Sequence, residues 1–169
     1  GQIIKLSGVA VKNSAAGYVL DARANQSYKA VNNLINGGVD VYRISNVVNG
    51  AAFSNGSFYI ASNAKAKSII DKNVTENNVQ FIAVDQKPTA LSKIKKARIA
   101  LWDMYGGSMP SGWTRLILEK FNYAFDVIYA KDIDTGNLRS KYDVIVFVGG
   151  AIPAVGSGVN TNAGFGFNN

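Results

Sequence analysis

Two residue types are missing from this chain of 169 residues: cysteine and histidine. Without cysteine there is no disulfide and no thiol nucleophile. Without either, the common zinc sets cannot be assembled. Without histidine no serine–histidine triad can form within the chain. Proline is scarce, with three residues. No apolar run approaches the roughly 20 residues that span a bilayer, so no membrane-spanning segment is expected. The opening "GQIIKLSG" has neither a basic n-region nor a long h-region, so it does not read as a signal peptide. Gly1 in place of methionine reads as the end of an excised piece of a longer protein. The lack of cysteine suits a cytosolic protein and a bacterial secreted one equally.

What is present is apolar and basic. Hydrophobic residues make up 47% of the chain, enough for a sizeable core. The formal net charge is +7. The positive residues are scattered, apart from "KIKKAR" at 93–98, and no aromatic-and-basic stripe surrounds that run. The charge therefore reads as an ordinary basic surface, and no nucleic-acid partner is expected.

The first half alternates between strand and helix patterns. "GYVLD" (17–21), "DVYRIS" (40–45), "SFYIAS" (57–62) and "VQFIAV" (79–84) read as strands. "NQSYKAVNNLINGG" (25–38) places Tyr28, Val31, Leu34 and Ile35 at helical spacing, and Gly37 and Gly38 supply its stop. "AKAKSIIDKNV" (64–74) reads as a second helix, and 51–56 as a loop. Residues 1–86 form an N-terminal α/β subdomain on this reading. Residues 87–97, polar and lysine-bearing, form a linker. "RIALWD" (98–103) and "FDVIYA" (125–130) are strands around a helix at 112–121. A helical turn at 135–142 leads to "DVIVFVGG" (143–150), whose unbroken apolar run predicts a strand buried on both faces, as in a parallel sheet. The class is α/β with a mostly parallel sheet, built from two βαβ subdomains. Residues 98–153 form the second of these, and 154–169 a flexible tail.

One strand-to-helix turn, "WDMYGGSMPSGW" at 102–113, is unusually rich in small residues. In open α/β sheets ligands bind outside the carboxyl ends of the strands, where this turn lies. Tyr105, Gly106, Gly107 and Gly112 would shape a pocket there, Ser108 and Ser111 would supply hydroxyls, and Asp103 and Arg115 would orient polar groups. The helix is expected to begin near Gly112 or Trp113, with Ser111 as its cap. "GGSMPSG" matches neither G-x-G-x-x-G nor a phosphate loop ending in G-K-[ST]. Gly149 and Gly150, in "FVGGAIP", expose backbone N–H groups at a strand end, but no nucleophile is available to them. Asp132 and Asp134 lack the further oxygen ligands of a cation loop. No cofactor and no metal site are expected.

The stretch "RIALWDMYGGSMPSGWTRLILEKFNYAFDVIYAKDIDTGNLRSKYDVIVFVGGAIP" (98–153) resembles the carboxy-terminal, class I glutamine amidotransferase-like region of large bacterial zinc carboxypeptidases of the M14 type. Its peculiar strings are "WDMYGGSMPSGWTR", "GNLRSKYDVIVF" and "GAIP". "GYVLDARANQSYKAVNNLINGGVDVYRI" (17–44) is similar to the segment that precedes it there. The resemblance implies a flavodoxin-like or glutamine amidotransferase-like sheet. It also implies a non-catalytic accessory domain carried behind a peptidase domain in an exported, periplasmic or extracellular protein. The zinc-binding H-x-x-E…H set of that peptidase is absent, since the chain has no histidine. The amidotransferase nucleophile is absent too, and Gly149–Gly150 would match that fold's oxyanion strand with nothing to serve. The partners implied are the peptidase domain of the same parent chain and a peptide or glycan ligand. A truncated sheet edge would also favour a homodimer. The alternative reading is a small-molecule-binding or hydrolytic enzyme that uses the 103–115 turn, with Asp103 as its base.

Overall fold

The computed structural model describes residues 11–13, 16–46 and 53–151. The expected loop at 51–56 falls only partly within these ranges. The chain start and the 154–169 tail lie outside them. The chain divides into two units. The first holds residues 1–97 and 117–124, and the second 98–116 and 125–169.

The first unit runs β1 (Gly17–Leu20), α1 (Asn25–Asn36), β2 (Val41–Ile44), β3 (Phe58–Ala61), α2 (Ala64–Asn77), β4 (Ile82–Val84) and β5 (Leu91–Lys93). Its strands lie in the order β4-β1-β3-β2-β5, and every pairing is antiparallel. This is a split βαβ arrangement with the ferredoxin-like order of elements. The expectation of a mostly parallel sheet therefore fails for this half. The crossover from β1 through α1 does deliver β2 parallel to β1, but β3 returns between them and pairs with both. A second difference lies in the supposed linker. Residues 91–93 form β5, which pairs with β2 through Tyr42 opposite Lys93.

Burial follows the two periodicities. Ser27, Ala30, Val31 and Leu34 form the inner face of α1, and Ala66, Ile70, Asn73 and Val74 that of α2. They meet Tyr18, Leu20, Phe58 and Ile60 on one side of the sheet. Val19, Ile44 and Tyr59 make a smaller cluster of their own. A buried amide joins the helices: Asn33 Nδ2 donates to Asn73 Oδ1 at 2.8 Å, and Asn73 Nδ2 donates to the Ile69 carbonyl at 2.8 Å. Asn63 caps α2, its side chain accepting from the Ala66 N–H at 2.8 Å. The 117–124 segment is held by side-chain amides. Asn32 donates to the Phe121 carbonyl at 2.8 Å, and Asn122 donates to Asn33 Oδ1 at 2.6 Å.

After β1, Asp21 accepts from the Arg23 side chain at 2.5 Å and from its backbone N–H at 2.9 Å. These bonds, the side-chain one foremost, hold the Asp21 carboxyl at about 2, below its ordinary 3.8. A carboxyl depressed in the folded state stabilises above its unfolded value, and that stabilisation disappears as pH falls through about 2. Asp21→Asn is therefore expected to lower the thermal midpoint near neutrality and to approach the parent protein only as pH falls below about 2. Melting curves of both proteins across the acid range check this. A difference that persists unchanged in acid would contradict it.

The second unit runs β6 (Ile99–Trp102), α3 (Met109–Lys120, whose last turn groups with the first unit), β7 (Phe125–Ile128), α4 (Ala130–Asp134), α5 (Leu138–Lys141) and β8 (Val144–Val146). Its strands lie in the order β7-β6-β8 and are parallel, as the apolar runs predicted. The expected burial of 143–150 on both faces fails. Among the described residues β8 has β6 as its only strand neighbour, and Val144 and Phe147 are exposed. The helical turn expected at 135–142 is α5, and the short helix α4 before it was not expected. Asp132 lies inside α4, where its side chain accepts from the Tyr129 N–H at 2.9 Å. Arg98 ties the start of β6 to the start of β8 through Asp143, at 2.8 Å.

Candidate functional site

The order β7-β6-β8 puts a topological switch point between β6 and β8, because the chain crosses from β6 to β7 on one side and arrives at β8 on the other. The loops that leave these neighbouring strands are 103–108 and 147–151. Both glycine-rich loops of the sequence thus issue from the carboxyl end of one small parallel sheet. Trp102 and Phe147, at the two strand ends, have ring centroids 6.3 Å apart.

The loop after β6 is built by short-range bonds. The Asp103 N–H donates to the Ile128 carbonyl at 2.9 Å and so extends the β6–β7 ladder. Asp103 is 2% exposed, and its Oδ1 accepts from the Met104 N–H at 2.9 Å. The Gly107 N–H donates to the Met104 carbonyl at 2.9 Å, closing a four-residue turn. Gly106, its third residue, has φ +90, and Gly107 has φ +78. A side chain is disfavoured at such angles, which is the reason for the glycine pair. Among the described residues nothing lies within 4 Å of where a Cβ would sit on Gly106, Gly107, Gly112, Gly149 or Gly150. These glycines border open space rather than a crowded approach.

The helix starts earlier than the sequence suggested. Ser108, not Ser111, is the cap, its Oγ accepting from the Ser111 N–H at 3.2 Å. Pro110 sits in the first turn, where its missing N–H costs nothing. Ser111 is therefore a helical residue. It is 0% exposed, and its Oγ has no hydrogen-bond partner among the described residues. Arg115 follows one turn later on the same side of α3. Its Nη1 is 4.0 Å from Asp103 Oδ2, too long for a hydrogen bond.

The structure thus gathers Asp103, Ser108, Ser111 and Arg115 around the end of β6 and the start of α3. Tyr105 is exposed, and its ring stacks on Tyr129 at 4.8 Å between centroids. Sequence reasoning missed Tyr129, because nothing local marks an aromatic on the next strand's end as a partner. It also missed the outer side of α3. Met109, Trp113 and Leu116, spaced i, i+4 and i+7, are 74%, 62% and 50% exposed. The described residues hold no group of three or more acidic, histidine or cysteine side chains able to bind a metal ion. None of their helices is long and apolar enough to cross a membrane. Comparison with family models, curated proteins and solved structures finds no match in any of the three.

Proposed function

We propose that this chain is a non-catalytic accessory domain that packs against a zinc carboxypeptidase domain of the same, exported polypeptide. The observation that carries the reading is the outer face of α3. A helix that crosses over a sheet ordinarily turns its apolar side inward and its polar side to solvent. Here the buried position is Ser111, while Met109, Trp113 and Leu116 stand in solvent. An exposed apolar stripe of this kind marks an interaction surface. The resemblance of 98–153 to the region behind the peptidase supplies the occupant, a folded neighbour on the same chain, and the exported setting. The parallel second unit is compatible with the amidotransferase-like portion of that region. Catalysis by the chain itself finds little support. It lacks cysteine and histidine, and the one buried carboxylate at the turn, Asp103, already holds a backbone N–H.

The test is the coding sequence on both sides of this segment, together with assays of the purified chain. An upstream H-x-x-E…H domain in frame, and no hydrolysis of peptides, amides or esters, are expected. A reading frame that opens just before Gln2, or turnover abolished by Asp103→Asn, would overturn the reading in favour of an enzyme.

A further inference from the structure

We propose that the outer edge of β8 is an interface between two copies of this chain, which joins their three-stranded parallel sheets into one sheet of six strands. The argument begins with the edge itself. β8 pairs with β6 on one side, and among the described residues nothing bonds the backbone of 144–147 on the other. Val144 is 46% exposed, and Phe147, just past the strand, is 42% exposed. An open row of N–H and C=O groups between apolar side chains is a template for another strand. Folded proteins ordinarily guard such an edge with charge or proline. The opposite edge of this sheet, β7, carries the exposed Asp126, and β5 at an edge of the first unit carries the exposed Lys93. From Val144 to Val148 the β8 edge has neither charge nor proline.

The residues of the edge decide the occupant. A charged partner finds nothing to recognise between 144 and 148, where the run is Val-Ile-Val-Phe-Val. A second copy does. A two-fold axis normal to the sheet lays β8 antiparallel to itself and keeps each face of the sheet on its own side. With Val146 on that axis, Val144 meets Val148 and Ile145 meets Phe147. Each of these pairs is β-branched with β-branched or with aromatic, the combinations that stabilise cross-strand neighbours. Asp143 falls opposite Gly149, so no like charges meet. So short a strand pair buries less than a standard interface, and the dimer is expected to dissociate reversibly in the micromolar range. The inference concerns β8 alone and does not rest on the reading of α3.

The experiment is sedimentation analysis of the chain over a concentration series, with oxidative cross-linking of single-cysteine variants. The mass is expected to rise from one copy to two with concentration. Val144→Lys should weaken the dimer by about tenfold, because the two-fold axis makes each lost pair count twice. Val144 is exposed, so the diluted variant should melt like the diluted parent. The natural chain has no cysteine, so any disulfide belongs to the introduced residue. Val146→Cys should cross-link readily, since opposed residues of antiparallel strands stand within disulfide reach. Val144→Cys should not, because its own copy lies four residues out of register. The proposal is overturned if the chain stays monomeric at every concentration. Slow amide exchange at 144–147 in that monomer would show that another segment of the chain fills the edge. It is equally overturned if Val144→Lys dimerises like the parent, if Trp113→Glu abolishes the dimer instead, or if Val144→Cys cross-links as readily as Val146→Cys.

Discussion

Gly17→Ala is expected to destabilise the first unit by about 1–3 kcal/mol, the range of overpacked core sites. Gly17 opens β1 and is paired on both sides, opposite Ala61 on β3 and Val84 on β4. A Cβ there would lie 2.7 Å from Tyr59 Cε2, 2.8 Å from the Tyr59 hydroxyl oxygen and closer still to the Ile60 carbonyl oxygen. Tyr59 cannot easily yield. It is buried, and its hydroxyl donates to the Ala16 carbonyl at 2.8 Å. The glycine is thus required by the Ile60 carbonyl and the Tyr59 ring that lie against the strand, not by its own backbone angles. Denaturant unfolding checks this. Adding Tyr59→Ala should make the two effects less than additive, since the ring clash is shared while the carbonyl clash remains. A Gly17→Ala protein as stable as the parent would refute the packing described for β1.

Leu101→Ala is expected to cost about 3 kcal/mol and to open the second unit selectively. Leu101 lies on the central strand, opposite Val127 and Val146, and is 0% exposed. Among the described residues of this unit its buried hydrophobic companions are Ala100 and Ile128. With so few of the described residues fully enclosed, one truncation removes a large share of the stability they supply. Native-state hydrogen exchange should show lost protection across 99–102 and 125–128. Protection at 17–20 and 58–61 should be retained. Equal loss in both halves would mean that the two units do not unfold separately.

Much of the element order was legible because burial imposes local periods. Val31 and Leu34 on α1, and Ile70 and Val74 on α2, turned inward at helical spacing. The parallel order of the second unit was legible from its apolar runs. The antiparallel sheet of the first unit was not. Strand periodicity says which residues face the core but not which strand lies alongside. β5 was missed because "LSK", after Pro88, carries none of the β-branched or aromatic side chains that mark strands. The start of α3 was misplaced because Ser108 and Ser111 are both plausible caps three residues apart. Pro110 held the missing signal, since a proline near a helix start belongs to its first turn. The candidate site was legible as a turn rich in small residues. The unpartnered Ser111 hydroxyl was not, because a hydrogen bond that is absent depends on the whole packing around α3.

The central claim is that the outer face of α3 is covered by a neighbouring domain. Oxidative footprinting of Met109 and Trp113 tests it most directly. The isolated chain would be compared with the complete polypeptide that contains it. The account predicts rapid labelling of both residues in the isolated chain and strong protection in the complete polypeptide. Equal labelling in the two would contradict it.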